Sequence, residues 1–149
     1  MTPTKLSAKL SIGPEPTADD LAALAAAGFR SVINNRTDKE DELRLNSDQM
    51  ALAVEAQSMG YAHIPVVGKN PLERDAQAFE DALEEMPGPI YAYCKTGGRS
   101  AALWALASVV DADIGELIAK CAAAGHDISG LKAKMEMRRE MLLDEEDDD

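Results

Sequence analysis

The stretch from residue 87 to residue 107 constrains the fold more than any other part of the chain. It reads PGPIYAYCKTGGRSAALWALA, in which a short apolar segment runs into a cysteine, a glycine-rich turn and a longer apolar segment. The first segment has the length and aromatic content of a buried strand, and the second has the length of a buried helix. The sequence therefore places Cys94 between the end of a strand and the start of a helix.

Helix and strand patterns alternate along the rest of the chain. Strands are predicted within residues 8–13, 29–34, 61–67 and 90–93. Helices are predicted over residues 17–28, 48–59 and 72–86, and then over about 99–110, 113–124 and 129–143, with Thr17 and Ser47 as N-caps and Pro71 at a first helical position. Strands separated by helices predict a three-layer α/β fold, with a mainly parallel central sheet of about four to five strands flanked by helices. Ligands in such sheets bind beyond the carboxyl ends of the strands, which is where Cys94 falls.

Length and charge narrow the classes of function. The 149 residues fit one domain, which we expect over residues 1–143, followed by a disordered acidic tail over residues 144–149. The net charge is −12, and because the tail DEEDDD carries −6, the other 143 residues are still acidic. An acidic body argues against nucleic-acid binding. No apolar run reaches membrane-spanning length and two cysteines make no disulfide framework, so we expect no membrane partner and a cytoplasmic location.

The loop CKTGGR, from Cys94 to Arg99, carries the chemistry. Gly97 and Gly98 allow successive backbone N–H groups to point into one concavity at the start of the next helix, where the helix dipole attracts an anion. The same field, with Lys95 nearby, favours the thiolate form of Cys94 and hence a nucleophile. Arg99 can grip two oxygens of a phosphate or a sulfur oxyanion.

The alternative to a catalytic loop is an ordinary strand-to-helix turn with an inert cysteine. The apolar strand before the loop, the two glycines inside it and the apolar helix after it together favour the catalytic interpretation. Cys121 differs, because it shares the apolar face of a predicted helix and is expected in the core. His63 and His126 lie far apart and have no metal-ligand spacing with a cysteine, so we predict no metal and no other cofactor.

Three segments of the chain resemble a known family. AAAGFRSVINNRTDKEDE, AHIPVVG and PGPIYAYCKTGGRSAALWALA match, in order, the phosphatase-like domain that begins beta-lactamase-hydrolase-like proteins and also occurs alone. The resemblance covers roughly residues 5–135. It implies a cysteine-phosphatase fold of the dual-specificity type, with Cys94 in the nucleophile position and Arg99 in the anion-binding position. Members of the family are described both as phosphatases and as sulfurtransferases.

Two features of the sequence favour sulfur chemistry over phosphate chemistry. Four residues separate Cys94 from Arg99, whereas dual-specificity phosphatases have five, and the shorter loop resembles that of rhodaneses. Phosphate-ester cleavage also benefits from an acid that protonates the leaving oxygen, and the segment between His63 and Pro71 contains no carboxylic acid. Asp38, Glu40 and His63 are candidate substitutes for this acid. Each also has a simpler interpretation as an ordinary loop or strand residue.

The sequence thus predicts a rhodanese-like sulfurtransferase that forms a persulfide on Cys94 and passes the sulfur to an acceptor thiol or cyanide. The first alternative is a phosphatase that forms a phosphocysteine, and the second is a non-catalytic module that binds an oxyanion or a phosphoprotein. The predicted catalytic residues are Cys94 and Arg99. The predicted substrate-binding residues are Lys95, Thr96, Gly97, Gly98 and Ser100, with Arg36 and Asp38 as further candidates on the loop after the second predicted strand. Lys69 is expected to add positive potential at the same end of the sheet.

Overall fold

Strands and helices alternate through the computed structural model, which describes residues 2–147. The strands are β1 (Thr4–Lys5), β2 (Leu10–Gly13), β3 (Ser31–Asn34), β4 (Gly60–His63) and β5 (Ile90–Tyr93). The helices are α1 (Ala18–Ala26), α2 (Ser47–Glu55), α3 (Glu73–Glu85), α4 (Gly98–Ala107), α5 (Ile114–Ala123) and α6 (Lys132–Asp147), with one 3₁₀ turn at Ser129–Leu131 before α6.

One five-stranded sheet in the order β1-β2-β5-β3-β4 forms the middle of the molecule. Strands β2, β5, β3 and β4 pair in parallel, and only β1 is antiparallel to its neighbour. The prediction of a mainly parallel α/β sheet is confirmed, although the two-residue strand β1 carries too little pattern to be predicted. Because β5 lies between β2 and β3, the loops after these three strands meet at one edge of the sheet.

Side chains from the two faces of the sheet enter two separate apolar clusters. On one face Ile33, Ile90 and Ala92 pack against α3, α4, α5 and α6, and on the other Val32, Tyr91 and Tyr93 pack against α1 and α2. Helix α4 is buried from Ser100 to Ala107, so the helix that follows the cysteine loop runs through the core. Trp104 on this helix is buried.

Several element ends differ from the predictions, each for a local reason. The N-cap of α2 is Asn46 rather than Ser47, because the side chains of Asn46 and Gln49 each accept the other's backbone N–H. Pro71 precedes α3 instead of opening it, since Leu72 is the N-cap. The fourth strand ends at His63, shortly before Pro65, which has no N–H to offer the ladder.

The acidic end of the chain is partly helical. Helix α6 runs to Asp147, so it continues into the segment that the sequence assigns to a disordered tail after residue 143. Residues Asp148 and Asp149, the end of that predicted tail, lie outside the described residues. Over residues 2–147, the helices lack the combination of length and apolarity that a membrane span requires.

The burial of α4 leads to a prediction about stability. Leu103 is fully buried in α4, whereas Leu52 on α2 is 69% exposed. We expect Leu103→Ala to lower the free energy of unfolding by about 2–5 kcal/mol, because it removes core contacts and leaves a cavity. Urea denaturation followed by circular dichroism measures this change.

Leu52→Ala is the matched control, with the same substitution on a solvent-facing helix position. Its free energy of unfolding should stay within about 0.5 kcal/mol of the wild type. Equal effects of the two substitutions would contradict the assignment of α4 to the core.

Candidate active site

The loop between β5 and α4 wraps around the sulfur of Cys94. Cys94 is 1% exposed, and its Sγ accepts the backbone N–H of Gly97 at 3.0 Å and that of Arg99 at 3.3 Å. Gly97 has φ +105°, a left-handed conformation that turns the chain from the strand into the helix and that side chains disfavour. The four residues between Cys94 and Arg99 therefore suffice to close a ring of amides around the sulfur.

The start of α4 adds to the positive potential at Cys94. The first helical hydrogen bond runs from the N–H of Ala101 to the carbonyl oxygen of Gly97. The N–H groups of the preceding helical residues have no helical acceptor and carry the positive end of the helix dipole. Two backbone hydrogen bonds and the positive end of the helix dipole therefore converge on the sulfur of Cys94, an arrangement typical of a cysteine nucleophile.

Arg99 is held by a carboxylate from another loop. Its Nη1 donates to Oε2 of Glu40 at 2.6 Å and to the carbonyl oxygen of Val66 at 2.8 Å, and its Nη2 donates to Oε1 of Glu40 at 2.8 Å. Two parallel hydrogen bonds between a guanidinium and a carboxylate form the strongest and most directional type of ion pair. The guanidinium of Arg99 is thus oriented before any ligand binds.

These contacts leave one edge of the guanidinium facing other partners. A guanidinium has five N–H hydrogens, and the contacts with Glu40 and Val66 use three of them. The remaining two, on Nε and Nη2 of Arg99, point in one direction and match the spacing of two oxygens on one phosphorus or sulfur atom. The contact with Glu40 therefore orients Arg99 without using these two hydrogens.

Glu40 is itself fixed as an anion. It accepts the backbone N–H of Thr37 at 2.6 Å and the Nε–H of Arg36 at 3.2 Å, in addition to the bonds from Arg99. The hydrogen bonds from Arg99, helped by those from Thr37 and Arg36, lower the pKa of Glu40 to about 2. Glu40 consequently carries no proton near neutral pH and is excluded as the missing acid.

Several of the residues that the sequence places at the site line one cleft. Lys95, Thr96 and Gly98 line a cleft of about 920 Å³ above Cys94, as does Lys69. The ammonium group of Lys95 lies 3.3 Å from the carboxylate of Glu42, and both side chains are exposed.

Ser100 occupies a different position from the other loop residues. It is fully buried, and its hydroxyl donates to Oδ1 of Asn35 at 2.7 Å, so its proton is directed to Asn35 rather than to the sulfur of Cys94. Asn35 in turn donates to the carbonyl oxygen of Ile64 at 2.9 Å and so ties the loops after β3 and β4 to α4.

The two further candidates after β3 do not reach the cleft. Arg36 is 4% exposed and is surrounded by the carboxylates of Glu15 and Glu40 and the carbonyl oxygen of Asp41. Asp38 accepts the backbone N–H of Ser47 at 2.7 Å, so it stabilises the start of α2. Both side chains are charged and follow a strand, but burial and local hydrogen bonds direct them away from the cleft.

The sequence predicts the surroundings of one histidine correctly and those of the other incorrectly. A nitrogen of His63 lies 2.7 Å from the carbonyl oxygen of Arg36, in agreement with a structural role. His126, which reads as a helix-end residue, lines the cleft together with Cys94 and Arg99. Its neighbour Gly125 has φ +96°, which turns the chain back toward the cysteine loop. No local pattern marks His126, because its position depends on how α5 packs on α4.

Cys121 is as buried as Cys94 but has different surroundings. It is completely buried in α5, with Sγ 3.6 Å from the carbonyl oxygen of Ala101. Burial raises the pKa of Cys121 to about 11, so it is a thiol near neutral pH. The expectation that Cys121 belongs to the core is confirmed.

Fold and site together define the cysteine-phosphatase fold class, in which a cysteine and an arginine share one loop at the end of a parallel sheet. Residues 4–111 match the family model described as "Beta-lactamase hydrolase-like protein, phosphatase-like domain". The chain belongs to this family of phosphatase-like domains, as the sequence predicts.

Relatives and solved structures agree with this assignment. The chain is 35% identical over 114 residues to a beta-lactamase hydrolase-like protein of Agrobacterium fabrum, an alignment that covers 76% of the chain and 26% of that relative. The chain thus spans about a quarter of the length of the curated relatives it matches. The crystal structure of a candidate phosphatase from Neisseria meningitidis superposes with a TM-score of 0.79 at 28% identity, covering 91% of this chain and 96% of that one. A second candidate phosphatase, from Shewanella putrefaciens, has a TM-score of 0.67 at 21% identity, with 78% of each chain covered, and shows the fold alone.

The comparisons favour phosphatase-like chemistry over the sulfurtransferase prediction. The matching family model and the Neisseria structure both carry phosphatase descriptions, and neither is described as a sulfurtransferase. The family assignment agrees with the first alternative predicted from the sequence, a phosphatase-like protein, rather than with a sulfurtransferase.

The contact between Glu40 and Arg99 predicts the effect of removing one charge. In Glu40→Gln an amide NH₂ group faces the guanidinium in place of one oxygen, so Arg99 loses its fixed orientation. We expect the dissociation constant for inorganic phosphate, measured by isothermal titration calorimetry, to rise by about ten- to a hundredfold. Glu42→Gln is the matched control, since Glu42 is 73% exposed and pairs with the exposed Lys95. An unchanged constant in Glu40→Gln would contradict the orienting role.

The low pKa of Glu40 also predicts how stability depends on pH. Because the folded state lowers this pKa from 4.5 to about 2, the ionised carboxylate stabilises the fold fully above pH 4.5, and this contribution is lost as the pH falls toward 2. We expect urea denaturation to show Glu40→Gln less stable than the wild type by about 1–3 kcal/mol at pH 7, with a smaller difference at pH 3. A difference that grows on acidification would exclude this linkage.

Proposed function

We propose that the chain hydrolyses phosphate monoesters through a phosphocysteine at Cys94. One observation carries the proposal: the sulfur of Cys94 receives two backbone N–H groups, at 3.0 and 3.3 Å, directly beside an arginine that Glu40 holds with one edge available. A nucleophile and a bidentate oxyanion donor therefore converge on one point of the cleft. The family match to a phosphatase-like domain supports the same reaction.

The first step transfers the phosphoryl group to sulfur. The Cys94 thiolate attacks phosphorus, the S–P bond forms, and the bond from phosphorus to the ester oxygen breaks and leaves an alcohol or phenol after protonation. The free edge of Arg99 holds two of the non-bridging oxygens, whose negative charge it stabilises during the transfer. The backbone amides of the loop serve the same purpose and require no rearrangement, because the fold already directs them inward.

The second step regenerates the enzyme. A water molecule gives up a proton and attacks phosphorus, the S–P bond breaks, and inorganic phosphate and the Cys94 thiolate are the products. The amides of Gly97 and Arg99 that point at the sulfur make the thiolate a good leaving group. The same two contacts therefore assist both the attack and the release.

Sulfur transfer is the alternative that the four-residue loop favours. In that reaction the Cys94 thiolate attacks the outer sulfur of a donor such as thiosulfate, sulfite leaves, and the persulfide passes its sulfur to a thiol or to cyanide. The cleft above Cys94 is about 920 Å³, which is far larger than thiosulfate and favours a substrate with an organic group attached to the oxyanion. This difference in size supports the hydrolysis of phosphate esters.

A paired assay distinguishes the two reactions. We expect the wild type to release phenol from an aryl phosphate, and Cys94→Ser to lose about a thousandfold or more of this rate, since a serine hydroxyl is not ionised near neutral pH. Cys121→Ala is the matched control and should keep the wild-type rate, because Cys121 lies in the core.

The same proteins are assayed with thiosulfate and cyanide. Cys94-dependent formation of thiocyanate without turnover of aryl phosphate would replace hydrolysis with sulfur transfer. Oxyanion binding that survives Cys94→Ser, with no turnover of either substrate by the wild type, would instead identify a binding module.

A further inference from the structure

The proposed hydrolysis needs a proton donor for the leaving oxygen, and neither the carboxylic acids that line the cleft nor Asp38 supplies one. Glu40 is ionised and bound to Arg99. Asp38 is bonded to the N–H of Ser47 and does not line the cleft. Asp127 does line it, but hydrogen bonds from Ser129 lower the pKa of Asp127, so this carboxylate is also ionised near neutral pH.

The remaining titratable side chains of the cleft are Arg99, which stays charged and holds the oxyanion, two lysines, the nucleophile itself and one imidazole. Lysine ammonium groups release their proton only in alkaline solution, which makes them poor donors near neutral pH. Imidazole exchanges a proton near neutral pH and is the most frequent acid and base in enzymes. Among the residues that line the cleft, His126 supplies this group.

The ring of His126 lies directly against the cysteine loop. A Cβ atom built on Gly97 would be 3.1 Å from its Nε2, and one built on Gly98 would be 3.4 Å from its Nδ1. Both glycines of the loop therefore leave room for the imidazole, in addition to the conformational freedom that Gly97 requires. The backbone of His126 is fixed at the end of α5, where its backbone N–H donates to the carbonyl oxygen of Cys121 at 2.9 Å.

We propose that the imidazole of His126 is the proton donor and acceptor of the reaction at Cys94. This proposal rests on the hydrolysis of phosphate esters proposed above. In the first step the imidazolium gives its proton to the ester oxygen as the P–O bond breaks, and the neutral ring remains. In the second step the neutral ring takes a proton from the attacking water as the S–P bond breaks, which restores the imidazolium and the Cys94 thiolate.

The charges around His126 are compatible with a group that changes protonation state. Partial burial lowers the pKa of His126, which favours the neutral ring in the free enzyme. A phosphate group in the loop would bring negative charge next to the ring and oppose that shift. The charged or ionisable side chains that share the cleft with His126 are Glu40, Lys69, Cys94, Lys95, Arg99 and Asp127.

The test uses leaving groups that differ in their need for a proton. The variant is His126→Gln, and the substrates are aryl phosphates whose phenols range from weakly to strongly acidic. We expect kcat/KM for phenyl phosphate to fall by about a hundredfold, and kcat/KM for dinitrophenyl phosphate by less than about threefold, because dinitrophenolate leaves without a proton. The inhibition constant of inorganic phosphate should stay within about twofold of the wild type, which shows that the loop is intact.

His63→Gln is the matched control, since the chain contains only two histidines and His63 contacts the carbonyl oxygen of Arg36 outside the cleft. It should keep the leaving-group dependence of the wild type. An equal loss of rate for every substrate in His126→Gln would assign the residue a structural role and overturn the proposal. Absence of Cys94-dependent turnover in the wild type would overturn both this proposal and hydrolysis itself.

A second measurement does not depend on the folding of a variant at position 126. The titration of the imidazole signals in the wild type is followed by NMR with and without inorganic phosphate, and the His63→Gln spectrum assigns the two rings. We expect phosphate to raise the titration midpoint of His126 and to leave that of His63 in place. A midpoint of His126 that does not move on binding would contradict the proposed contact with the substrate.

Discussion

The ion pair between Glu40 and Arg99 is the interaction on which the site depends. A free arginine side chain has many rotamers, and ordering it when a ligand binds costs conformational entropy. Here two hydrogen bonds of 2.6 and 2.8 Å to one carboxylate, and a third to the carbonyl oxygen of Val66, fix the guanidinium before a ligand binds. The pair also joins the loop after β3 to the loop after β5, which are neighbouring strands of the sheet.

The buried charges behind Glu40 follow from the same requirement. A carboxylate removed from water is costly unless opposite charges and hydrogen bonds surround it. Arg36 supplies one such charge, because its Nε donates to Oε1 of Glu40 at 3.2 Å, and Glu15 compensates Arg36 at 3.9 Å. The charges therefore alternate in sign along a chain of contacts that runs from Glu15 through Arg36 and Glu40 to Arg99. Arg36 acts on the anion site through Glu40, although its own side chain does not line the cleft.

The local parts of this structure could be predicted from the sequence, and the long-range parts could not. Short segments of the sequence suffice to predict the alternation of strands and helices, the cysteine loop and the core position of Cys121. The pairing of Glu40 with Arg99 joins residues 59 positions apart, and the approach of His126 to Gly97 depends on the packing of α5. Arg36 was assigned to the substrate because a charged residue after a strand carries no mark of burial, whereas in the structure it is 4% exposed.

The four-residue spacing between Cys94 and Arg99 favours sulfur chemistry when the sequence is considered alone. The structure weakens that argument. Gly97, in its left-handed conformation, turns the short loop tightly enough for the N–H groups of Gly97 and Arg99 to reach the sulfur. The free edge of Arg99 fits two oxygens on phosphorus or on sulfur equally well. The two reactions differ in the leaving group, because sulfite departs as a stable anion whereas most alkoxides need a proton. The chemical choice therefore depends on the proton source in the cleft, and among the residues that line it His126 is the group suited to that exchange near neutral pH.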